Sequence, residues 1–125
     1  MSPFPRFDLE DRLVDFAAQI CTLTDSFPST PLAKHVTTQI IRSSTSPLAN
    51  YGEAQAAESR QDFIHKLKVC LKELRETQAW LKFVDRMSFC REDIVAAREE
   101  CNELVAILVA SVRTAQRKVK MSNIQ

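Results

Sequence analysis

The stretch of sequence that decides the fold is residues 59–84, SRQDFIHKLKVCLKELRETQAWLKFV. Within it, apolar and small residues recur at alternating spacings of four and three. They are Phe63, Leu67, Cys70, Leu74, Thr77, Leu81 and Val84. Because an α-helix has about 3.6 residues per turn, this spacing places all of them on one helical face. Ser59 followed three residues later by Asp62 is typical of a helix N-cap, so the stretch predicts an amphipathic helix that begins there.

Two helices are predicted before this stretch, because apolar residues recur there at helical spacings. The first helix carries one apolar seam and ends at Pro28 and Pro31, which cannot continue a helix. The members of that seam are Leu9, Leu13, Phe16, Ile20, Leu23 and Phe27. The second helix is expected to begin near Leu32, with Thr30 or Pro31 at its head, and to run toward Tyr51.

Pro47 lies inside the second predicted helix, where the missing backbone N–H of proline predicts a kink. A polar, alanine-rich connection is expected over residues 52–58. The fourth helix is expected after a break around residues 86–89, with a frayed tail after Met121. The apolar seam of this helix consists of Ile94, Ala97, Cys101, Leu104, Leu108 and Ala115.

Four amphipathic segments with short connections, and no convincing strand, predict an all-α protein. The expected architecture is an antiparallel, up-down four-helix bundle with a kinked second helix. The chain has 125 residues, of which 45% are hydrophobic, so residues 1–125 are expected to form a single domain. A three-helix alternative would merge the first two helices, but the prolines at positions 28 and 31 argue against it.

The sequence offers little material for catalysis. Gly occurs once, which excludes glycine-rich nucleotide or phosphate loops. The two histidines, His35 and His65, have no partner at metal-ligand spacing and are predicted to lie on the surface. We therefore expect no enzymatic activity and no cofactor.

The sequence also favours a cytoplasmic protein without a membrane partner. The longest apolar run, residues 104–110, is far shorter than the roughly 20 residues that span a bilayer. The first residues do not resemble an export signal, because no basic segment precedes an apolar one.

Four cysteines, Cys21, Cys70, Cys90 and Cys101, are separated by 49, 20 and 11 residues. Cys70 and Cys101 fall on apolar seams, where a free thiol packs as a small hydrophobic group. We expect reduced, structurally passive thiols, and the alternative is zinc or redox chemistry.

Four polar residues of the second helix fall within about 80° of one another on its surface. They are Arg42, Ser46, Asn50 and Glu53. This set is interpreted as a solvated face or a structural Arg-to-Glu pair, or alternatively as a subunit contact or a ligand-lined channel.

Five basic residues of the third helix share another arc of about 80°, opposite the apolar seam. They are Lys68, Lys72, Arg75, Lys82 and Arg86. They extend over about 27 Å of helix, enough to follow several nucleic-acid phosphates, although a solvated face is the simpler interpretation. A second basic patch ends the fourth helix, at Arg113, Arg117, Lys118 and Lys120.

The fourth helix also has apolar residues beside its main seam. They are Val105, Val109 and Val112. They indicate either a thicker core or a face for a neighbouring subunit.

Residues 39–53, QIIRSSTSPLANYGE, followed by Ser59 and by DFI at residues 62–64, resemble a known family. The pattern is similar to that of four-helix-bundle proteins encoded in intervening sequences of bacterial 23S ribosomal RNA genes. The resemblance implies a cytosolic bundle that assembles into a five-membered ring around a central channel, with no known enzymatic activity. It also extends to an accessory protein of diversity-generating retroelements, which implies binding to nucleic acid and to a reverse transcriptase.

The expected function is therefore a non-catalytic, homo-oligomeric scaffold or adaptor, most simply a pentameric ring, with an unidentified protein partner. The alternative is an accessory protein that binds RNA or DNA through the backbone without sequence preference. The formal net charge of +1 requires any such binding to come from the patterning of charges rather than from their sum.

Overall fold

The computed structural model describes residues 8–90 and 94–124, which form four helices. These are α1 (Leu9–Thr24), α2 (Pro31–Gln55), α3 (Arg60–Met87) and α4 (Ile94–Ile124). Each helix packs against the next in the chain, and α1 also packs against α4. With short connections between sequential neighbours, this is the predicted all-α, antiparallel four-helix bundle.

Side-chain caps fix where three of the helices begin. The carboxylate of Asp8 accepts a hydrogen bond from the backbone N–H of Asp11 at 3.1 Å, and the Thr30 hydroxyl accepts from Ala33 at the same distance. Ser59 accepts from the N–H of Asp62 at 3.0 Å, as its sequence context predicts. At the other end of α3, Ser88 adopts a left-handed conformation with φ 56°, which terminates the helix.

The core is built from the predicted seams of all four helices. On α3, every member of the seam is buried except Phe63, which is half-buried. One polar pair lies within this core: Ser43 Oγ is 2.8 Å from Thr77 Oγ1, and both side chains are fully buried. Thr77 Oγ1 donates to the carbonyl of Glu73 at 3.0 Å, which leaves the Ser43 hydroxyl as the donor within the pair.

Three predicted boundaries were wrong. Residues 52–55 continue α2 instead of starting a connection, because alanine is the strongest helix former and Ala54 is buried in the core. The first helix ends at Thr24, so Phe27 lies beyond it and packs against Phe89 at a centroid distance of 5.6 Å. The fourth helix continues past Met121 to Ile124.

Pro47 does not interrupt α2, which runs helically on both sides of it. Its carbonyl accepts a hydrogen bond from the Cys70 thiol at 3.6 Å, so this turn of α2 is tied to α3. The kink at Pro47 stays a prediction.

The four helices differ greatly in length. With 16 residues, α1 spans about 24 Å, whereas the 31 residues of α4 span about 46 Å. Arg12, near the start of α1, pairs with Glu100 at 2.5 Å and Glu103 at 3.1 Å, in the first third of α4. The C-terminal half of α4 therefore extends beyond α1. None of the helices in the described residues is long and apolar enough to cross a membrane.

Candidate nucleic-acid and subunit interfaces

The basic residues predicted on α3 lie along one exposed stripe. Lys68, Lys72, Arg75, Lys82 and Arg86 are all exposed. Within residues 8–90 and 94–124, none of them forms an ion pair. Their charges are therefore not neutralised by neighbouring acids of the described chain.

Basic residues of α4 line the same side of the bundle. Arg98 lines a groove together with Arg75 and Lys82 of α3. Further along, a groove between the start of α3 and the end of α4 is lined by residues that include Gln61, Ile64, Arg113, Arg117 and Lys120. Most of the two basic patches predicted separately from the sequence, all but Lys118, thus lies on the α3/α4 side of the bundle.

We call this surface the α3/α4 face. Its basic residues are Lys68, Lys72, Arg75, Lys82, Arg86, Arg98, Arg113, Arg117 and Lys120. Lys118 does not belong to it, because it lines a different groove with Phe63 and Ile107.

Acidic residues are concentrated on other sides of the bundle. Glu73 and Glu76 bind Arg42 on the α2 side, and Glu100 and Glu103 bind Arg12 on the α1 side.

The start of α1 is acidic, with Asp8, Glu10, Asp11 and Asp15. Coulombic repulsion from Asp8, together with a hydrogen bond that the protonated Asp11 carboxyl donates to Asp8, raises the pKa of Asp11. A nearly neutral chain thus carries a local group of unpaired basic residues on α3, while most of these acids are ion-paired or at the start of α1.

The predicted polar set of α2 is divided between several contacts. Asn50 Nδ2 donates to Ser46 Oγ and to its backbone carbonyl, each at 3.0 Å. Arg42 and Glu53 instead reach α3 separately: Arg42 binds Glu73 at 2.9 Å and also Glu76, whereas Glu53 lies 3.4 Å from Lys66. In the part of the chain that the structure describes, no ion pair joins Arg42 to Glu53.

An aromatic cluster, which the sequence analysis did not identify, continues from this contact to one end of the bundle. The indole of Trp80 donates to Glu76 Oε2 at 3.2 Å, on the carboxylate that Arg42 also binds. Rings then follow one another at centroid distances of 5.6 to 6.2 Å. The cluster consists of His35, Trp80, Phe83, Phe89 and Phe27.

Large apolar side chains are exposed at this same end of the bundle. Phe83 is 37% exposed, and Leu32 and Met87 are each 44% exposed. Leu32 stands in the first turn of α2, and Met87 is the last residue of α3. We call these three residues the apolar end. The sequence contains one indication of this apolar end: Phe83 and Met87 are apolar but do not fall on the buried seam of α3.

The valines beside the seam of α4 belong to the core. Val105 and Val112 are each only 7% exposed, and Val109 is half-buried against the same core. Of the two interpretations of this apolar excess, the thicker core applies. These valines do not supply a free face for a neighbouring subunit.

The thiols of Cys70 and Cys101 are buried, as their seam positions predict. Burial raises the pKa of each to about 12, and the Cys101 thiol donates to the carbonyl of Leu74 at 3.4 Å. Both histidines are exposed, as predicted. Across residues 8–90 and 94–124, no three or more His, Cys, Asp or Glu side chains are grouped as metal ligands would be.

Fold and surface together define a class: four-helix-bundle proteins with a basic face and exposed apolar side chains at one end. The model of the 23S rRNA-intervening sequence protein family matches residues 7–110, and the chain belongs to this family. The resemblance noted in residues 39–64 is thereby confirmed.

A solved structure supports the same assignment. The crystal structure of a protein of unknown function from the S23 ribosomal protein family of Bacteroides thetaiotaomicron has a TM-score of 0.73 and 31% identity. The similarity covers 84% of this chain and 98% of that one. No curated protein matches the sequence.

Proposed function

We propose that this protein is a non-catalytic scaffold or adaptor of the cytoplasm that assembles with copies of itself, most simply as a five-membered ring. The observation that carries the proposal is the apolar end, where Leu32, Phe83 and Met87 expose large side chains at the same end of the bundle. Such a patch is costly on an isolated bundle and is removed from water in a contact between subunits.

In a five-membered ring, each subunit contacts the next through two different faces of the bundle. Such a contact is called heterologous. The apolar end would then pack against another surface of the neighbouring subunit. Uneven helix lengths support this arrangement, since α4 extends beyond α1 and leaves a groove lined by Phe63, Ile107 and Ala115.

Native mass spectrometry of the full chain tests the assembly. We expect a closed oligomer whose mass is a multiple of 14.2 kDa, and a double substitution Leu32→Glu with Met87→Glu should dissociate it. Met121→Glu is the matched control, because Met121 is 65% exposed near the opposite end of the bundle. A monomer at micromolar concentration would overturn the proposal. Equal dissociation by the control would place the contact elsewhere.

A second candidate function is binding to the phosphate backbone of RNA or DNA through the α3/α4 face. What supports it is the grouping of charge: nine basic residues share the α3/α4 face, and the two grooves described on that face are lined by no acid within the described residues. A row of like charges stabilises nothing within one bundle, whereas it attracts a polyanion over a long contact. In a ring, repetition of the face would strengthen each weak contact by avidity.

The salt dependence of binding tests this second function. Three phosphate contacts on duplex DNA should give a slope of roughly −2.7 in a plot of log K against log salt. Lys72→Glu with Arg75→Glu should weaken binding to all sequences about equally. Lys34→Glu with Lys118→Glu is the matched control, since it changes the net charge by the same amount on other surfaces. Absence of binding at about 50 mM salt would exclude this function.

A further inference from the structure

The α3/α4 face contains a cleft whose lining differs from the rest of that face. Its volume is about 410 Å³, within the range of small-ligand pockets. Three cations surround it: Arg75 and Lys82 from α3 and Arg98 from α4. Between them, two amide side chains, Gln78 and Asn102, also line the cleft.

The cations can hold an anion inside the cleft. Arg75 and Lys82 have no ion pair with any described residue, and Arg98 uses one nitrogen, Nη1, to bind Asp85 Oδ2 at 2.8 Å. The remaining guanidinium donors of Arg98 are available to a ligand. Since planar guanidinium groups match phosphate oxygens, two arginines and a lysine around one cleft form a phosphate-binding arrangement.

The amides add hydrogen-bonding groups of the kind that recognise a base. Gln78 Nε2 donates to Asn102 Oδ1 at 2.8 Å, a single bond between two primary amides. No other hydrogen bond of either side chain is formed within the described chain, so the Oε1 of Gln78 remains as an acceptor, and both N–H groups of Asn102 and the second N–H of Gln78 remain as donors. The edge of a nucleobase presents donors and acceptors in the same way.

The floor of the cleft is apolar and chemically inert. Leu81 and Cys101 are fully buried beneath it. The Cys101 thiol is bound to the Leu74 carbonyl, so it offers no nucleophile to a ligand. The arrangement therefore indicates binding and not reaction.

We propose that this cleft accepts one unpaired nucleotide of a single-stranded nucleic acid. The phosphate contacts Arg75, Lys82 and Arg98, and the base edge hydrogen-bonds to Gln78 and Asn102. The inference rests on the proposed binding of nucleic acid by the α3/α4 face, and it adds selectivity for single strands. In a duplex the base edges are paired and stacked, so a duplex contacts the basic residues through its phosphates alone.

Fluorescence anisotropy with a short single-stranded RNA, and with the same sequence as a duplex, tests the proposal on the full chain. Loss of two hydrogen bonds corresponds to about a tenfold change in Kd. We therefore expect the single strand to bind about tenfold more tightly than the duplex. Gln78→Ala with Asn102→Ala should remove this difference and leave duplex binding unchanged. Gln61→Ala with Gln116→Ala is the matched control, because these amides line the other groove of the same face.

The outcomes separate this inference from the proposed function. Equal binding of single strand and duplex, or equal effects of the two double variants, would overturn the cleft proposal while the basic face still binds nucleic acid. Failure to bind either probe at low salt would overturn both. Circular dichroism of each variant checks that the four helices are retained.

Discussion

At the scale of single residues, the most constrained polar contact is the hydroxyl pair of Ser43 and Thr77. Both side chains are fully buried, and the pair joins α2 to α3 inside an otherwise apolar core. Among the described residues, every buried side-chain nitrogen or oxygen has a hydrogen-bond partner. Removal of one member leaves the other with only a bond to a carbonyl of its own helix.

Thr77→Val should lower the free energy of unfolding by about 1 kcal/mol. Valine keeps the shape of threonine but removes the acceptor, and the Ser43 hydroxyl is left with a weaker bond to the carbonyl of Ile40 at 3.3 Å. Adding Ser43→Ala should recover part of the loss, because both polar partners are then gone. Urea unfolding measures each value. A single variant as stable as the parent chain would contradict the prediction.

The buried thiols predict a loss of stability at alkaline pH. Cys70 and Cys101 have pKa values of about 12 in the folded chain, against an ordinary value of 9.0. Above pH 9 the unfolded chain therefore binds fewer protons, so stability is fully present below about pH 9 and falls as the pH rises toward 12. The slope should be less than about 1.4 kcal/mol per pH unit for each thiol.

Urea unfolding between about pH 8 and about pH 10 measures that slope. Cys101→Ala is less stable at every pH, because a buried side chain is shortened, but its curve should be flatter. The pKa of Tyr51 is also raised, chiefly by burial, so this residue too lowers stability at alkaline pH. It does so equally in the parent chain and in the Cys101→Ala variant. An equally steep curve for the variant would show that the Cys101 thiol does not contribute.

At the scale of the helices, Arg42 is the side chain that most clearly joins two elements. Its guanidinium binds Glu73 and Glu76, one turn apart on α3. The hydrogen bonds that Arg42 donates to these two carboxylates, above all the one to Glu76, raise the pKa of Arg42. The pair of exposed Glu53 and half-buried Lys66, at 3.4 Å, is a looser contact between the same helices.

Arg42→Ala should destabilise the bundle by at most about 1 kcal/mol, since the arginine is exposed and its ion pairs are screened by water. The effect should shrink in high salt. Lys66→Ala serves as the control and should have an effect near zero. If thermal unfolding shows equal losses for both variants, the two carboxylates around Arg42 add nothing to the link between α2 and α3.

The sequence predicted the helices well because their signals are local. The seam of α3 and the caps Thr30 and Ser59 depend only on residue spacing and on hydrogen bonds within one turn. The end of α2 was missed for a tertiary reason. Ala54 becomes part of the core only when α2 lies against its neighbours, and this burial continues the helix beyond Tyr51.

The candidate interfaces were predictable only in part. The basic stripe of α3 follows from helical periodicity and is exposed as expected. That Arg98 and Arg113 come to the same side depends on how α4 is rotated about its axis, which packing decides. The apolar end was missed because Leu32 and Met87 lie far apart in the sequence and come to the same end of the bundle only when α2 and α3 run antiparallel.

At the scale of the whole molecule, charge separation is the dominant surface property. With 17 basic and 16 acidic residues the chain is almost neutral, yet its basic residues collect on the α3/α4 face and many acids on the sides of α1 and α2. Its behaviour toward charged surfaces depends on local faces and not on net charge.

Ion-exchange chromatography near pH 7.5 provides a direct measure of this separation. The net charge is close to zero there, since the pI is 7.7, but we expect the protein to be retained by a cation exchanger through the α3/α4 face. Lys72→Glu with Arg75→Glu should abolish retention, because it places two acids in the middle of that face. Lys34→Glu with Lys118→Glu changes the net charge equally and should leave most of the retention intact. Equal loss in both variants would mean that net charge governs the interaction, and the α3/α4 face would then have no separate role in attracting polyanions.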